Sequence, residues 1–212
     1  MIESDDGLPA RLRSLLVDLM LTPGLSGYEG RVRRMLADEL RALGLDTRTD
    51  MLGNLIATLD GDAGAPSVML FTHMDQLGFV VRKIEQDGFI RVERLGGVPE
   101  RALASQPVLI CVAEGRDVVG VIANKSHHAT TPEEKYRVVP YTELYIDAGF
   151  ESRQEAEAAG VLIGTPVVYR PNAMDLSATR IAGTSVDDRA GCAVIVEVAR
   201  ELVGIEQRPT VH

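Results

Sequence analysis

Apolar residues recur with a helical period at the start of the chain. Five of them between Leu12 and Met20 follow the i, i+3, i+4, i+7, i+8 spacing of an amphipathic helix. Thr22-Pro23-Gly24 ends this helix, and Ser26-Gly27-Tyr28-Glu29 has the spacing of a capping box that begins a second one. The second helix is expected to end near Gly44, so the chain opens with a pair of amphipathic helices.

The pattern changes after about Gly78, where short runs rich in valine and isoleucine alternate with turn signals such as Asp87-Gly88. Strands at this spacing predict a small β-rich barrel or sandwich. One short helix is expected between Glu151 and Ala159, with Ser152 as its N-cap. The predicted strands of the whole chain are Leu55–Leu59, Val68–Phe71, Phe79–Ile84, Phe89–Arg94, Val108–Ala113, Val118–Ile122 and Val167–Tyr169.

Helical character returns near Ala173. The segment from Ala190 to Leu202, rich in alanine and valine, predicts a buried helix that ends near Gly204. Helices and strands alternate before the β-rich segment and helical character returns after it, which indicates an α/β domain with a β-rich insertion. The predicted organisation is an α/β domain over 1–77 and 174–212 with an inserted domain over 78–173.

Composition and charge narrow the class of protein. Of the 212 residues, 45% are hydrophobic and none is tryptophan, which is typical of a soluble globular protein with an aliphatic core. The net charge of −9 argues against a nucleic-acid or anionic-membrane partner. Cys111 and Cys192 are too few for a disulfide framework, and Cys192 is expected in the core. Without a signal segment or a membrane-length apolar run, a cytoplasmic location is expected.

The candidate chemistry begins where the run Ser67–Phe71 ends in His73-Met74-Asp75. Strand ends are where α/β sheets collect functional side chains, and residues two apart in an extended chain point the same way. His73 and Asp75 are therefore a candidate metal ligand with its orienting carboxylate. A histidine that caps a loop beside a solvated aspartate is the alternative.

A second candidate is the run Asp187-Asp188-Arg189 at a loop-to-helix junction. Adjacent carboxylates at such a junction are often only N-caps, and Arg189 could neutralise them. The presence of His73-Met74-Asp75 on the other side of the β-rich segment favours a shared site instead.

These motifs, in this order, resemble the glutamyl-aminopeptidase-like dinuclear metallopeptidases, a group that includes the tetrahedral (TET) aminopeptidases and cellulase M-like proteins. The resemblance covers almost the whole chain. It rests on the loop Thr22–Glu29, the segment Asp50–Leu55, the motif His73–Val80, landmarks of the insertion at Gly120–Ile122, Lys125 and Leu144–Gly149, and the motif Val186–Gly191. It implies a mixed-sheet metallopeptidase catalytic domain, incomplete here, that is interrupted by a barrel-like insertion.

The resemblance also implies roles for individual residues. His73 would be a terminal metal ligand, Asp75 would orient it, and Asp187 would bridge two metal ions. Asp188 and Arg189 would brace the loop without touching metal. Two divalent ions are implied, zinc or cobalt with manganese as an alternative. The implied reaction is hydrolysis of N-terminal residues from peptides by metal-activated water, in a protein that forms homo-oligomers.

Relatives continue past a segment like Thr210-Val211-His212 into two successive glutamates, one the general base and one a ligand, and later into further ligands. Because His73 and Asp187 alone cannot hold two ions, we expect the 212-residue chain to be inactive by itself. An N-acyl amino acid hydrolase of a related dinuclear fold and a scaffold without catalysis are the alternatives. Glycoside hydrolysis is disfavoured, because Asp187 and Asp188 are sequence neighbours and cannot flank a glycosidic bond.

Two further features of the sequence have open interpretations. Gln76 stands where many relatives have an acidic residue, which could alter metal or substrate preference, although neutral drift is favoured. His127 and His128 could contribute ligands, but paired histidines in a polar loop usually face solvent.

Overall fold

The computed structural model describes residues 7–212, which form two compact units. One unit ends at Gln76 and resumes over Asn172–His212, and the other spans Leu77–Pro171. The sequence placed the insertion at 78–173. The elements, in chain order, are α1 (Leu8–Leu21), α2 (Gly30–Ala42), β1 (Thr47–Thr49), β2 (Leu55–Ala57), β3 (Gly78–Ile84), β4 (Ile90–Leu95), β5 (Pro107–Ile110), β6 (Val118–Ala123), β7 (Tyr145–Asp147), α3 (Arg153–Ala158), β8 (Pro166–Tyr169), β9 (Ala173–Ser177), β10 (Arg180–Gly183) and α4 (Val186–Val203).

Helices α1, α2 and α4 enclose the core of the first unit. The helix α1 has a proline at its start, where the missing N–H costs no intrahelical hydrogen bond. The helix α4 is regular only from Arg189 onward, because Asp187 and Asp188 have non-helical backbone angles. The core side chains are aliphatic and include Leu15, Leu19, Val32, Leu36, Leu40, Cys192, Ala193, Val196 and Ala199.

Short paired segments bring the two chain portions of the first unit together. Leu59 exchanges backbone hydrogen bonds with Val211, at 2.9 and 3.0 Å. Val68 and Leu70 pair in parallel with the segment 210–212. Leu70 therefore ends this row of paired backbone three residues before His73, which places the candidate motif at the end of an extended segment.

The second unit is a closed barrel of six antiparallel strands in the order β3-β4-β7-β6-β5-β8. Its interior is filled by buried side chains such as Phe79, Val81, Ile90, Val108 and Val167. Within β6, Gly120 is required because a Cβ there would lie 2.6 Å from Ile146 of the neighbouring strand β7. The barrel confirms the prediction from the alternating valine and isoleucine runs.

Three local predictions have clear outcomes. Ser152 accepts a hydrogen bond from the Glu155 N–H and begins α3, so the predicted N-cap is confirmed. The capping box at Ser26 is wrong: α2 begins at Gly30, and the Glu29 carboxylate accepts from the Gly27 N–H instead. The expected helical texture directly after Ala173 is also wrong, since residues 173–183 form the β9–β10 hairpin.

All four apolar side chains of the segment 68–71 are exposed. Met69 and Phe71 are 71% and 86% exposed, and they line an open apolar groove of about 440 Å³ in the first unit. No helix in residues 7–212 has the length and apolarity needed to cross a bilayer.

Candidate metal centre

His73 and Asp75 point the same way, as an extended segment requires. The Nδ1 atom of His73 lies 2.9 Å from Oδ1 of Asp75, and the Ser26 hydroxyl donates to the other carboxylate oxygen at 2.6 Å. Partial burial alone would raise the pKa of Asp75. The hydrogen bonds from Ser26 and His73 outweigh it, so the pKa lies below its usual value. Asp75 is therefore an anion that fixes the orientation of the His73 ring.

Asp187 reaches the same place from the other part of the chain. Its Oδ1 lies 3.2 Å from Nε2 of His73, although the two residues are 114 positions apart. The backbone on both sides of it is unusual: Ser185 has a left-handed φ of 63°, and the peptide bond between Asp187 and Asp188 is cis. The side chains of His73 and Asp187 are 58% and 95% exposed, so solvent and ions have access to both.

The arrangement around His73 suits a divalent cation. In the tautomer of a neutral imidazole that donates its one N–H from Nδ1 to Asp75, the Nε2 lone pair is left facing Asp187. Two ligand atoms bound to one tetrahedral zinc ion lie about 3.4 Å apart, close to the separation of Nε2 and Oδ1. Within residues 7–212, however, no group of three or more His, Cys, Asp or Glu side chains could hold a metal ion. The described residues therefore supply only part of a ligand set.

Asp188 caps α4, and its carboxylate also accepts from the backbone of His73. Its Oδ1 accepts the Gly191 N–H at 2.9 Å, and its other carboxylate oxygen accepts a short hydrogen bond from the Thr72 hydroxyl. The hydrogen bond from Thr72 is the main reason that the pKa of Asp188 lies below its usual value. A Cβ at Gly191 would lie 2.5 Å from both the Asp188 carboxylate and the Thr72 hydroxyl, so glycine is needed there. Thr72 thus fastens the residue before His73 to the residue after Asp187.

Arg189 lies fully buried beneath the site. Its Nη1 donates to the Leu19 carbonyl at 3.0 Å and its Nη2 to Oε1 of Gln76 at 3.4 Å, while Nε has no partner among the described residues. Burial lowers the pKa of Arg189 to about 10, so the guanidinium stays protonated at neutral pH. Gln76 is also buried, and its side chain contacts Arg189.

The remaining candidates lie elsewhere. Cys192 is buried in the core, as predicted, and burial raises the pKa of its thiol. His127 and His128 form an exposed 3₁₀ turn in the second unit, with ring centroids 5.8 Å apart. Nearby, Lys125 forms an ion pair with Glu134 at 2.9 Å.

Sequence reasoning missed the roles of Ser26 and Thr72. Alternation along the extended segment was the available signal for Thr72, because Thr72 and Gln76 occupy the face opposite His73 and Asp75. No local signal identified Ser26 as a donor to Asp75, since 49 residues separate them.

Comparison with known proteins bears on both motifs. Residues 53–212 match the model of the family described as M42 glutamyl aminopeptidase. The lysyl aminopeptidase of Pyrococcus furiosus is 35% identical over 191 residues, which are 89% of this chain and 54% of that protein. The chain spans about half the length of the curated relatives that it matches.

Solved structures give the same result for the fold. An aminopeptidase from the archaeon Desulfurococcus kamchatkensis matches with a TM-score of 0.87 and 30% identity, over 95% of this chain and 54% of that one. The Pyrococcus horikoshii TET1 peptidase, described as able to assemble into a tetrahedron or a large octahedral shell, has a TM-score of 0.84 and 30% identity, over 94% of this chain and 59% of that one. These matches confirm the predicted fold class.

The family match takes in His73, Asp75 and Asp187 together with the whole barrel between them, and the chain therefore belongs to the M42 glutamyl aminopeptidase family.

Proposed function

We propose that this chain carries part of the active site of a metal-dependent aminopeptidase, which releases N-terminal residues from peptides. One observation carries the proposal: His73 and Asp187, 114 residues apart, present a ring nitrogen and a carboxylate oxygen 3.2 Å from each other at an accessible surface. The aminopeptidase names of the family and of the lysyl aminopeptidase relative support the reaction class.

The side chains have distinct parts in this proposal. His73 would hold an ion through Nε2 while Asp75 keeps the ring in place, and Asp187 would bridge two ions with its two oxygens. Zinc or cobalt suits imidazole and carboxylate ligands, with manganese as an alternative. Divalent ions supply Lewis acidity and an activated water when bound.

The proposal assigns residues 1–77 and 174–212 to the catalytic domain and 78–173 to an inserted domain. Because His73 and Asp187 are too few ligands for two ions, the proposed active site needs further ligands, and we expect no turnover by these 212 residues alone. A cytoplasmic homo-oligomer is proposed for the intact protein, supported by the shells of the TET1 peptidase.

The test is an assay of the whole protein translated from its reading frame, with leucine and glutamate p-nitroanilides and added Co²⁺ or Zn²⁺. We expect metal-stimulated turnover that is lost in His73→Ala and Asp187→Ala. His128→Ala is the matched control, because this histidine is exposed in the other unit, and it should keep full activity.

Two results would contradict the proposal. Cleavage of N-acetylated substrates with no cleavage of free-amine substrates would indicate an N-acyl amino acid hydrolase. Absence of turnover in every metal would favour a scaffold that retains the fold without the activity.

A further inference from the structure

Gln76 is the buried link between the two motifs of the candidate metal centre. It follows Asp75 directly in the chain and is only 7% exposed. Its Oε1 accepts from the Gly24 N–H at 3.3 Å and from Nη2 of Arg189 at 3.4 Å. One amide oxygen thus joins the His73–Asp75 motif, the loop after α1 and the segment that carries Asp187.

The partner of Gln76 is a buried cation whose acceptors are both neutral. Arg189 has the Leu19 carbonyl and the Gln76 amide as its acceptors, and its Nε has no partner among the described residues. Leu19 lies in the last turn of α1, which contains no basic residue of its own. The guanidinium therefore meets the negative end of the α1 dipole and one side-chain dipole, while the carboxylates of Asp75 and Glu29 stabilise its charge without accepting a hydrogen bond from it.

Close packing leaves the Arg189 guanidinium little space to move to another acceptor. A Cβ at Gly24 would lie 2.8 Å from Nη2 of Arg189 and 2.7 Å from Val32, so the loop backbone packs directly against the cation. The backbone of Gln76 is also held, because its N–H donates to the Gly24 carbonyl at 2.9 Å. Loss of the side-chain acceptor would leave a donor unsatisfied in a site that has no room for a large shift.

We propose that Gln76 is a positioning residue of the candidate metal centre, which acts through Arg189 to hold the Asp187 segment against the His73 segment. The inference rests on the proposed function, because it concerns the geometry of the same site. It replaces the interpretation of Gln76 as neutral drift. The two segments then touch in two places. His73 contacts Asp187 at the exposed surface, and Gln76 contacts Arg189 in the interior.

The test is amide hydrogen exchange on the 212-residue chain without metal. The exchange rates of the backbone amides at positions 76 and 191 are measured, because these amides donate to Gly24 and to Asp188. Gln76→Met keeps the shape and removes the acceptor, and we expect exchange at both amides to become about 5- to 150-fold faster. Gln76→Glu restores an acceptor that is stronger toward a cation, so exchange should be no faster than in the parent chain. Val196→Ala is the stability control, because it weakens the core of α4 without touching either motif.

Coupling to Arg189 is measured in the same way. In an Arg189→Met background, Gln76→Met should have less than half of its effect on the logarithm of the exchange rate, because the donor is already gone. If Gln76→Met does not fold, Gln76→Glu alone tests the inference. The midpoint of its urea unfolding must then be at least as high as that of the parent chain, and a lower midpoint would overturn the inference.

Several results would overturn the inference. They are parent-like exchange in Gln76→Met, equal acceleration by Gln76→Met and Gln76→Glu, or the same local acceleration in Val196→Ala. Since no metal or substrate is used, these results are independent of turnover, and an inactive protein with the expected exchange pattern would refute only the proposed function.

Discussion

Replacement of Thr72 by valine is expected to weaken the junction between the two motifs while conserving side-chain shape. The Thr72 hydroxyl donates a short hydrogen bond to the Asp188 carboxylate, and hydrogen bonds to charged groups contribute about 1.5–3 kcal/mol. Asp188 keeps its bond from the Gly191 N–H, and Thr72 is only half-buried, so the lower part of that range applies. We expect a loss of about 1.5 kcal/mol in the free energy of unfolding.

The assay is urea unfolding at neutral pH, compared with Thr22→Val. Thr22 donates an exposed hydrogen bond to the Asp18 carbonyl at 2.9 Å, and its loss should cost about 0.5 kcal/mol or less. Equal losses in the two variants would refute the reasoning, because they would show that the charge of Asp188 adds nothing.

The pH dependence of Thr72→Val has a definite sign. The pKa of Asp188 is lowered from 3.8 in the folded protein, chiefly by the Thr72 hydroxyl. A group with a lowered folded pKa contributes stability above its unfolded pKa and loses it as the pH falls through the folded pKa. The difference in the free energy of unfolding between the parent chain and Thr72→Val should therefore have its full value at pH 7 and decrease below pH 3.8. A difference that grows on acidification would contradict this assignment.

Three other substitutions have expected outcomes. Gly191→Ala should lower the free energy of unfolding by about 1–3 kcal/mol in urea, although alanine favours helices, because the added Cβ would lie 2.5 Å from the Asp188 carboxylate and the Thr72 hydroxyl. An unchanged free energy of unfolding would show that these two side chains can move aside. Lys125→Met should raise the pKa of Glu134 from about 2 toward 4.5, which carboxyl ¹³C NMR measures. The ion pair contributes stability above pH 4.5 and loses it as the pH falls toward 2. An unchanged pKa of Glu134 in the variant would contradict the pairing. Phe71→Ser should lower the binding of a hydrophobic dye and leave the free energy of unfolding within about 0.5 kcal/mol, since 86% of the side chain is exposed; unchanged dye binding would place the dye outside the groove.

The barrel was predictable because its signals are local. Alternating valine and isoleucine runs mark strand interiors, and Asp87-Gly88 marks a turn in which Gly88 has a positive φ of 88°. The strand β7 and the β9–β10 hairpin were missed. The residues Ala173–Ser177 contain no β-branched residue, so their extended conformation depends on pairing with Arg180–Gly183 and not on local preference.

The candidate site was predictable only in its outward-facing part. The period of two in extended chain correctly put His73 and Asp75 on one face, and that same period puts Thr72 and Gln76 on the other. The partners of Thr72 and Gln76 lie 116 and 113 residues away, and no spacing in the sequence encodes such pairings. The Ser26 capping box was wrong for the same reason, because the Asp75 carboxylate, 49 residues away, is a stronger partner for the hydroxyl than a helix N–H.

The central claim is that His73 and Asp187 begin a metal centre, and Co²⁺ titration of the ¹⁵N-histidine-labelled 212-residue chain tests it most directly. The chain has four histidines, so the paramagnetic broadening of each ring can be followed separately. We expect the His73 signals to broaden at the lowest Co²⁺ concentration and to need at least tenfold more in Asp187→Ala. Broadening of His127, His128 or His212 with His73 unaffected, or no change in Asp187→Ala, would contradict the account.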